Sequence, residues 1–298
     1  MQWKGRKGSS HVEDRRASSG GRGGSSRGGG SGLNLLMLVG SRFGFKGLVI
    51  AGIAFLLMWK LGVVDPSFLL EGGGRSTAPQ ASVEISAEEQ ELYDFVTVVL
   101  AGTEEVWGKL FDQMGARYEP PTLVVYRGQI RTACGNGSAS MGPFYCPSDH
   151  KVYIDLSFYD ELDESFQAPG DFAQAYVIAH EVGHHIQKLL GTSDKVNAMR
   201  GRPDYNEYSV RLELQADYYA GVWAYHSQKY LEQGDIEEAM RAANAIGDDA
   251  IQMKAQGKVV PHAFTHGTSE QRMRWFNKGL KSGRMESADT FSQPYESL

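Results

Sequence analysis

The 298-residue sequence predicts an α+β fold in which helices outnumber strands. Apolar residues recur every three to four positions from Ala87 to Met114 and again from Phe172 to Leu190, which is the period of an amphipathic helix. Two short segments, TLVVY and KVYIDLSF, are rich in β-branched residues or alternate in polarity, which is typical of strands. Long helical segments with few strand signals indicate a helix-rich domain that contains a small β-sheet.

The amino-terminal part of the chain, residues 1–43, differs from the rest in composition. GGRGGSSRGGGSG at positions 20–32 lacks core-forming residues, so we expect a disordered, basic, Gly-rich tail. Met1–Lys46 contains nine Lys or Arg residues against two Asp or Glu. A basic tail could bind nucleic acid, but this one has few aromatic residues and no repeated RGG spacing. Its charge is therefore interpreted as a topology signal.

One apolar stretch, GLVIAGIAFLLMWKLGVV at Gly47–Val64, follows the tail. With the residues just before it, the segment 44–64 is long enough to span a bilayer once, and Lys60 can reach the headgroups. A buried core helix and a cleavable signal are the alternatives. The basic tail disfavours the first, and the lack of a nearby A-x-A-like site disfavours the second. The positive-inside rule then predicts one transmembrane helix with a cytoplasmic amino terminus and an extracytoplasmic remainder.

Residues 65–81 have the composition of a linker, and residues 82–298 that of a single globular domain. The chain after Val64 contains 20 Lys or Arg and 34 Asp or Glu, a net charge near −14. Such an acidic domain argues against nucleic acid or anionic lipid as its partner.

Several elements of the domain follow from local patterns. Ser86, with Glu89 three positions later, matches a capping box at the start of a helix over Ala87–Met114. Thr122–Tyr126 is predicted to be a strand, and the alternating segment Lys151–Phe158 a half-buried strand.

The sequence has two cysteines, Cys134 and Cys146, on either side of the loop GNGSASMGPFY. Their spacing does not match a C-x-x-C zinc motif. In an oxidising compartment they are expected to form a disulfide that clamps this loop, the alternative being two free buried thiols.

The segment AYVIAHEVGHHIQ places three histidines and a glutamate within six residues. On a helix, His180 and His184 share one face, so their imidazoles can converge on one metal ion. Glu181 lies beside them, as the general base does in the H-E-x-x-H pattern of zinc hydrolases. His185 is turned away from that face and is expected to support the site from behind or to lie on the surface. The alternative is an ordinary solvated helix face.

The helix that carries this motif is predicted to cover Phe172–Leu190, with Asp171 as its N-cap and Gly191 as its stop. Gly183 in its middle costs about 1 kcal/mol relative to alanine. A glycine there indicates that another backbone packs close to the site, unless it is merely tolerated.

A second helix, around the segment RLELQADYYAG, carries Glu213 and Asp217 four positions apart on one face. Two carboxylates directed at a core repel each other unless a cation lies between them. Glu213 is therefore the candidate third metal ligand, and Asp217 the candidate hydrogen-bond partner that orients a ligand histidine. A solvated helix face is again the alternative. Three further helices are predicted downstream, over Asp235–Ile246, Asp248–Ala255 and Ser269–Leu280, the last with a Thr268/Gln271 capping box.

The motifs ACGNGSASMGPFYCPSDHKVYIDLSFYDEL, YVIAHEVGHHIQKLLG, RLELQADYYAGVWA and FTHGTSEQRMRWF together resemble the bacterial putative neutral zinc metallopeptidase family. HEVGH followed by ELQAD is also similar to the gluzincin pattern. The resemblance covers about Ser82–Gly279 and the Gly-rich amino terminus with its span. It implies a zincin-like peptidase domain anchored in the bacterial inner membrane. By similarity to zincins, Tyr153, Asp155 and Ser157 would lie on an edge strand that binds an extended substrate.

The sequence thus predicts a zinc peptidase with one Zn²⁺ per chain and a peptide or protein substrate, in which zinc-activated water is deprotonated by Glu181. His266 is the candidate oxyanion donor, with Arg272 second. The rivals for that role are Tyr219, Tyr225, His226 and His262. Two other functions stay open: a zinc hydrolase of non-peptide amides in the cell envelope, and a silent, metal-stabilised binding module. Structural zinc sites usually have four Cys or His ligands, which disfavours the module.

Overall fold

A computed structural model describes residues 1–17 and 85–298, which belong to one compact unit. Helices dominate this unit and accompany two small sheets, which confirms the helix-rich α+β class. The helices are α1 Ala87–Gln113, α2 Ser157–Glu164, α3 Asp171–Leu189, α4 Thr192–Asn197, α5 Tyr205–His226, α6 Asp235–Ala245, α7 Asp248–Gln256 and α8 Ser269–Ser282. The strands are β1 Val12–Asp14, β2 Thr122–Tyr126, β3 Gln129–Thr132, β4 Gly135–Ser138, β5 Phe144–Cys146 and β6 Lys151–Asp155.

The expected membrane span and linker, residues 44–81, lie outside the described residues. Within the two described ranges, no helix has both the length and the apolar composition that crossing a bilayer requires.

The larger sheet has the strand order β1-β2-β6-β5. Strands β1, β2 and β6 are parallel, and β5 runs antiparallel to β6. Leu123 and Val125 of β2 contribute to the main core, whereas Val124 and Tyr126 belong to a smaller cluster. Strand β2 is therefore covered on both faces, which explains why TLVVY is apolar throughout instead of alternating.

Strand β6 is shorter and more central than the sequence predicts. It ends at Asp155, whose carboxylate accepts hydrogen bonds from the backbone N–H groups of Gly128 and Ser157, at 2.6 and 3.0 Å. Ser157 already begins α2. Strand β2 pairs with β6 along its whole length and β5 pairs with Lys151–Tyr153, so β6 is an interior strand of the sheet. The prediction that Tyr153, Asp155 and Ser157 lie on a substrate-binding edge strand is therefore wrong.

Helix α3, which carries the H-E-x-x-H motif, begins and ends within one residue of its predicted bounds. Its N-cap is Gly170, and Asp171 is its first residue instead of the cap. At its centre, Gly183 lies against Ala216 of α5, where an added Cβ would lie 2.9 Å from the Ala216 carbonyl oxygen. This contact confirms that a second backbone packs closely beside the motif.

We expect Gly183→Ala to lower the free energy of unfolding by about 1–3 kcal/mol, because the added methyl group forces α3 and α5 apart. Gly108 in α1 is a matched control, since an added Cβ there would have no neighbouring atom within 4 Å. Gly108→Ala should stabilise the protein by up to about 1 kcal/mol. Urea denaturation of both variants measures the difference. A Gly183→Ala protein as stable as the wild type would contradict the close approach.

The other helix starts lie where the sequence predicts them, but only one of the two capping boxes is complete. The Ser86 hydroxyl accepts a hydrogen bond from the Glu89 backbone N–H at 3.1 Å at the start of α1, whereas the Glu89 carboxylate accepts hydrogen bonds from Arg127 instead of closing the box. At α8, Thr268 and Gln271 form both hydrogen bonds of a capping box. Local spacing was sufficient here because a cap involves residues only three positions apart.

The first part of the predicted disordered tail is ordered. Strand β1 pairs with β2, and the Met1 side chain is buried in the main core. The prediction of disorder over residues 1–43 is thus wrong for residues 1–17, and residues 18–43 lie outside the described part. The Gly-rich composition that suggested disorder begins only after this segment, which itself contains the apolar residues Met1, Trp3 and Val12.

Candidate metal centre

Helices α3 and α5 bring the three candidate ligands together. The ligand atoms of His180, His184 and Glu213 all lie within 4.8 Å of one another. Nε2 of His180 is 3.1 Å from one carboxylate oxygen of Glu213, and Nε2 of His184 is 3.4 Å from the other. Two imidazoles and one carboxylate directed at a common point form a donor set that fits Zn²⁺.

The second nitrogen of each candidate ligand histidine, Nδ1, already has a hydrogen-bond partner. Nδ1 of His180 is 2.8 Å from the carboxylate of Asp217, and Nδ1 of His184 is 2.9 Å from the side-chain oxygen of Gln187. Both partner oxygens are acceptors, so in the neutral rings Nδ1 carries the hydrogen. Each Nε2 is then left with a lone pair directed toward Glu213, which is the tautomer that binds a metal.

Asp217 is held from behind by a buried hydrogen-bond network. Arg272 donates to both of its oxygens, at 2.9 and 3.0 Å, and the Tyr176 hydroxyl donates to it at 2.5 Å. Burial alone would raise the pKa of Asp217, but Arg272 and His180 hold it at about 2. A permanently ionised Asp217 fixes the ring of His180 and increases its basicity.

Nearby carboxylates raise the pKa of both candidate ligand histidines. Burial opposes the charge, but Asp217 raises the pKa of His180 to about 9, and Glu213 raises the pKa of His184. The pKa of Glu213 is held well below its usual range, against the effect of burial, chiefly by His184. Metal binding at these imidazoles would therefore compete with protons.

Glu181 lies beside this cluster in the wall of an open cleft of about 540 Å³. Its side chain is buried, and this burial raises the pKa of its carboxyl group. The cleft is also lined by all three candidate ligands and by the segment 140–145, which leads into β5. The group expected to act as a base is thus in the same cavity as the candidate metal ligands.

Strand β5 forms one wall of the cleft, through Phe144 and Tyr145. Among the described residues β6 is its sole strand partner, so the other edge of β5 has unpaired backbone groups. Strand β5, and not β6, is therefore the edge strand that borders the cleft.

His185 points away from the candidate ligands, as its helical position predicts. Its side chain is fully buried, so the alternative of a surface position is wrong. Nε2 lies 2.7 Å from the Glu119 carbonyl oxygen and Nδ1 lies 3.0 Å from the Tyr145 hydroxyl. Burial lowers the pKa of His185 to about 4, which keeps the ring neutral. Its neutral ring links helix α3 to strand β5.

Of the candidate oxyanion donors, His266 and Arg272 line the cleft, and the four rivals do not. Arg272 is fully engaged by Asp217 and by the Ile246 carbonyl, so it is a structural partner of the site. The His266 side chain is about half exposed. Glu213 and Asp248 raise the pKa of His266, which favours its charged, donating form.

The predicted disulfide is present. Cys134 lies in the turn between β3 and β4, and Cys146 is the last residue of β5, with an S–S distance of 2.01 Å. The bond therefore ties the tip of the β3–β4 hairpin to the strand that borders the cleft.

Three residues of the site were missed in the sequence: Tyr176, Gln187 and Tyr145. Tyr176 lies four positions before His180, and Gln187 three positions after His184, so each shares a helix face with a candidate ligand histidine. That spacing could have identified them. No local signal connects Tyr145 with His185, because their contact depends on how β5 packs against α3.

Comparisons with known proteins agree with this geometry. A family profile described as putative neutral zinc metallopeptidase matches residues 1–291. The chain is 47% identical over 305 residues to the Uncharacterized protein YpfJ of Escherichia coli K12, which covers 98% of this chain and 99% of that protein. It is also 43% identical over 188 residues to the Uncharacterized protein Mb2605 of Mycobacterium bovis, covering 59% of this chain and 64% of that protein. No solved structure matches the chain. The match over nearly the whole length shows that the chain belongs to the putative neutral zinc metallopeptidase family.

Proposed function

We propose that this protein is a zinc-dependent peptidase that binds one Zn²⁺ per chain through His180, His184 and Glu213. The observation that carries the proposal is that both imidazoles direct Nε2 at Glu213 inside an open cleft. A purely structural zinc site usually has four protein ligands, mostly Cys and His. Three ligands beside a cleft leave room for a substrate.

Glu181 acts as the general base in this proposal. Bound zinc supplies Lewis acidity, polarising a carbonyl group and lowering the pKa of water to about 7. The Glu181 carboxylate then takes a proton from the attacking water and delivers it to the leaving amide nitrogen. Burial raises the pKa of Glu181. This supports the role, because a general base works best when its pKa lies close to the working pH.

His266 stabilises the negative charge that develops on the substrate carbonyl oxygen. It is a cleft residue with an exposed ring, and Glu213 and Asp248 raise its pKa. A charged imidazole donates a strong hydrogen bond to an oxyanion. Arg272, the second candidate, instead holds Asp217 in place.

The substrate is proposed to be an extended peptide that pairs with the free edge of β5. Backbone hydrogen bonds to an edge strand give affinity without demanding one particular sequence. The contact of Tyr145 with His185 fixes this strand relative to α3, and the Cys134–Cys146 disulfide ties it to the β3–β4 hairpin. A peptide paired with a rigid strand would hold its scissile bond at a constant distance from Glu181, as catalysis requires.

We place the peptidase domain outside the cytoplasm, associated with the bacterial membrane. The disulfide supports an oxidising compartment. The apolar stretch Gly47–Val64 supports attachment to a bilayer.

Metal removal tests the proposal. The purified full-length chain is expected to contain one zinc per molecule and to hydrolyse casein or members of a peptide library. A chelator should abolish this activity, and added Zn²⁺ should restore it, because no other group of the site can replace the ligated metal. A protein with stoichiometric zinc but no turnover of any peptide would contradict the peptidase assignment. It would favour a hydrolase of other amides or a binding module.

A further inference from the structure

The first sixteen residues are built into the peptidase domain. Val12, Glu13 and Asp14 pair in parallel with Leu123–Val125 of β2. Backbone hydrogen bonds continue on both sides of this strand, from the Arg15 N–H to the Val125 oxygen and from the Ser9 N–H to the Thr97 oxygen, at 2.7 and 2.9 Å. The segment thus completes the sheet that supports the cleft.

Side-chain packing holds the same segment at several points. Met1 is buried in the main core, and Trp3 makes an edge-to-face contact with Phe95 at 5.4 Å between ring centroids. Gly8 lies so close to Thr97 that an added Cβ would be 2.3 Å from its hydroxyl oxygen. Such contacts are those of an integral part of a domain core.

Three positive side chains of this segment have partners within the described unit. Lys4 forms an ion pair with Glu91 at 2.6 Å, and Arg6 stacks over the Tyr230 ring at 3.5 Å. Arg16 is only 2% exposed and donates to Asp14. These cations therefore stabilise the packing of the segment. The excess of Lys and Arg near the amino terminus does not by itself indicate a cytoplasmic location.

The last residues of the first described range lie next to the first residues of the second. The Arg16 guanidinium donates to the Glu89 carbonyl oxygen at 3.2 Å and to the Gln90 side chain at 3.1 Å. Residues 18–84, which include the apolar stretch, connect these two adjacent points.

A bilayer cannot separate two segments that share a sheet, because β-pairing needs atoms about 3 Å apart whereas the hydrocarbon core is about 30 Å thick. We infer that residues 1–17 and 85–298 occupy the same compartment. This inference replaces the expected topology, a cytoplasmic tail with the domain on the opposite side. If residues 1–17 of one copy paired with the domain of a neighbouring copy, the conclusion would be the same. All copies inserted in one orientation have their domains on the same side of the membrane.

Labelling of single cysteines in the full-length chain, expressed in bacteria, tests this inference. Ser10→Cys and Glu296→Cys both place a thiol at an exposed position, and the native cysteines are disulfide-bonded. A membrane-impermeant maleimide is applied to intact spheroplasts and, for comparison, to permeabilised ones. The two variants should give the same result in intact spheroplasts. If both are labelled, the domain is exported. If both are protected until permeabilisation, they still share a compartment, but export is wrong. Labelling of one variant and protection of the other would overturn the inference.

A carbodiimide cross-link tests the packing itself. The reagent joins a lysine to a carboxylate in contact with it, so native membranes should yield a peptide with Lys4 linked to Glu91. Lys4→Gln is the control that removes this product. If the wild type yields no such peptide while other contacting pairs in the domain react, the segment is not docked in cells and the inference fails.

Discussion

Replacing Glu181 with glutamine is expected to leave zinc bound while lowering kcat by about two to four powers of ten, or about 3–5 kcal/mol of barrier. Glutamine keeps the shape of the side chain but cannot accept the proton of the attacking water. Zinc should stay because the ligand atoms belong to His180, His184 and Glu213. Metal analysis and peptide hydrolysis rates on the same preparation measure both effects.

The matched control is Glu161→Gln. Glu161 lines the same cleft but is not among the clustered candidate ligands. This variant removes one carboxylate from the cavity and should retain both zinc and most of the turnover. If Glu161→Gln lost as much activity as Glu181→Gln, the activity would depend on the overall negative charge of the cleft. The assignment of Glu181 as the general base would then be wrong.

Glu213→Ala is expected to lose zinc and activity together. Removing one of three ligands should weaken zinc binding by more than the roughly 10- to 100-fold that removal of an outer hydrogen-bond partner costs. Glu213 is also the sole carboxylate in the cluster, so its loss leaves two imidazoles without the charge that balances a cation. Zinc content after dialysis, together with affinity in a competition titration, measures the loss. Glu213→Gln, which keeps the size of the side chain, separates this effect from misfolding.

His185→Ala provides the comparison for this experiment. His185 contacts Glu119 and Tyr145 and directs neither nitrogen at the candidate ligands. Its replacement should leave zinc content near that of the wild type. Full zinc in Glu213→Ala combined with loss of zinc in His185→Ala would show that the assignment is wrong and that three histidines of one helix form the site.

Residues close together in the chain allowed the sequence to predict much of the site. His180 and His184 share a helix face because a helix brings residues four apart together, and the same rule aligns Glu213 with Asp217. The structure places these two faces against each other. The caps of α1 and α8 were predictable for the same reason. The metal and base roles assigned to these residues stay predictions until the variants are measured.

The position of a strand within a sheet was not predictable. The alternation in KVYIDLSF suggested one buried and one open face, but Tyr153 and Asp155 are 2% and 7% exposed. Tyr153 stacks on Phe144 with ring centroids 5.0 Å apart, and its hydroxyl donates to Asp149. Polar groups at such positions look solvent-facing in the sequence, although in the fold they are buried and have hydrogen-bond partners.

By itself, the sequence determined the candidate ligands, the helices that carry them and the cysteine pair, because each depends on residues near one another in the chain. The tertiary structure alone decided that β5 borders the cleft, that Arg272 holds Asp217, and that residues 1–17 join the sheet. Each of these features brings together segments that are distant in the chain, such as β1 and β2. Local propensity and spacing carry no information about such pairings, because they are selected by the packing of the whole core.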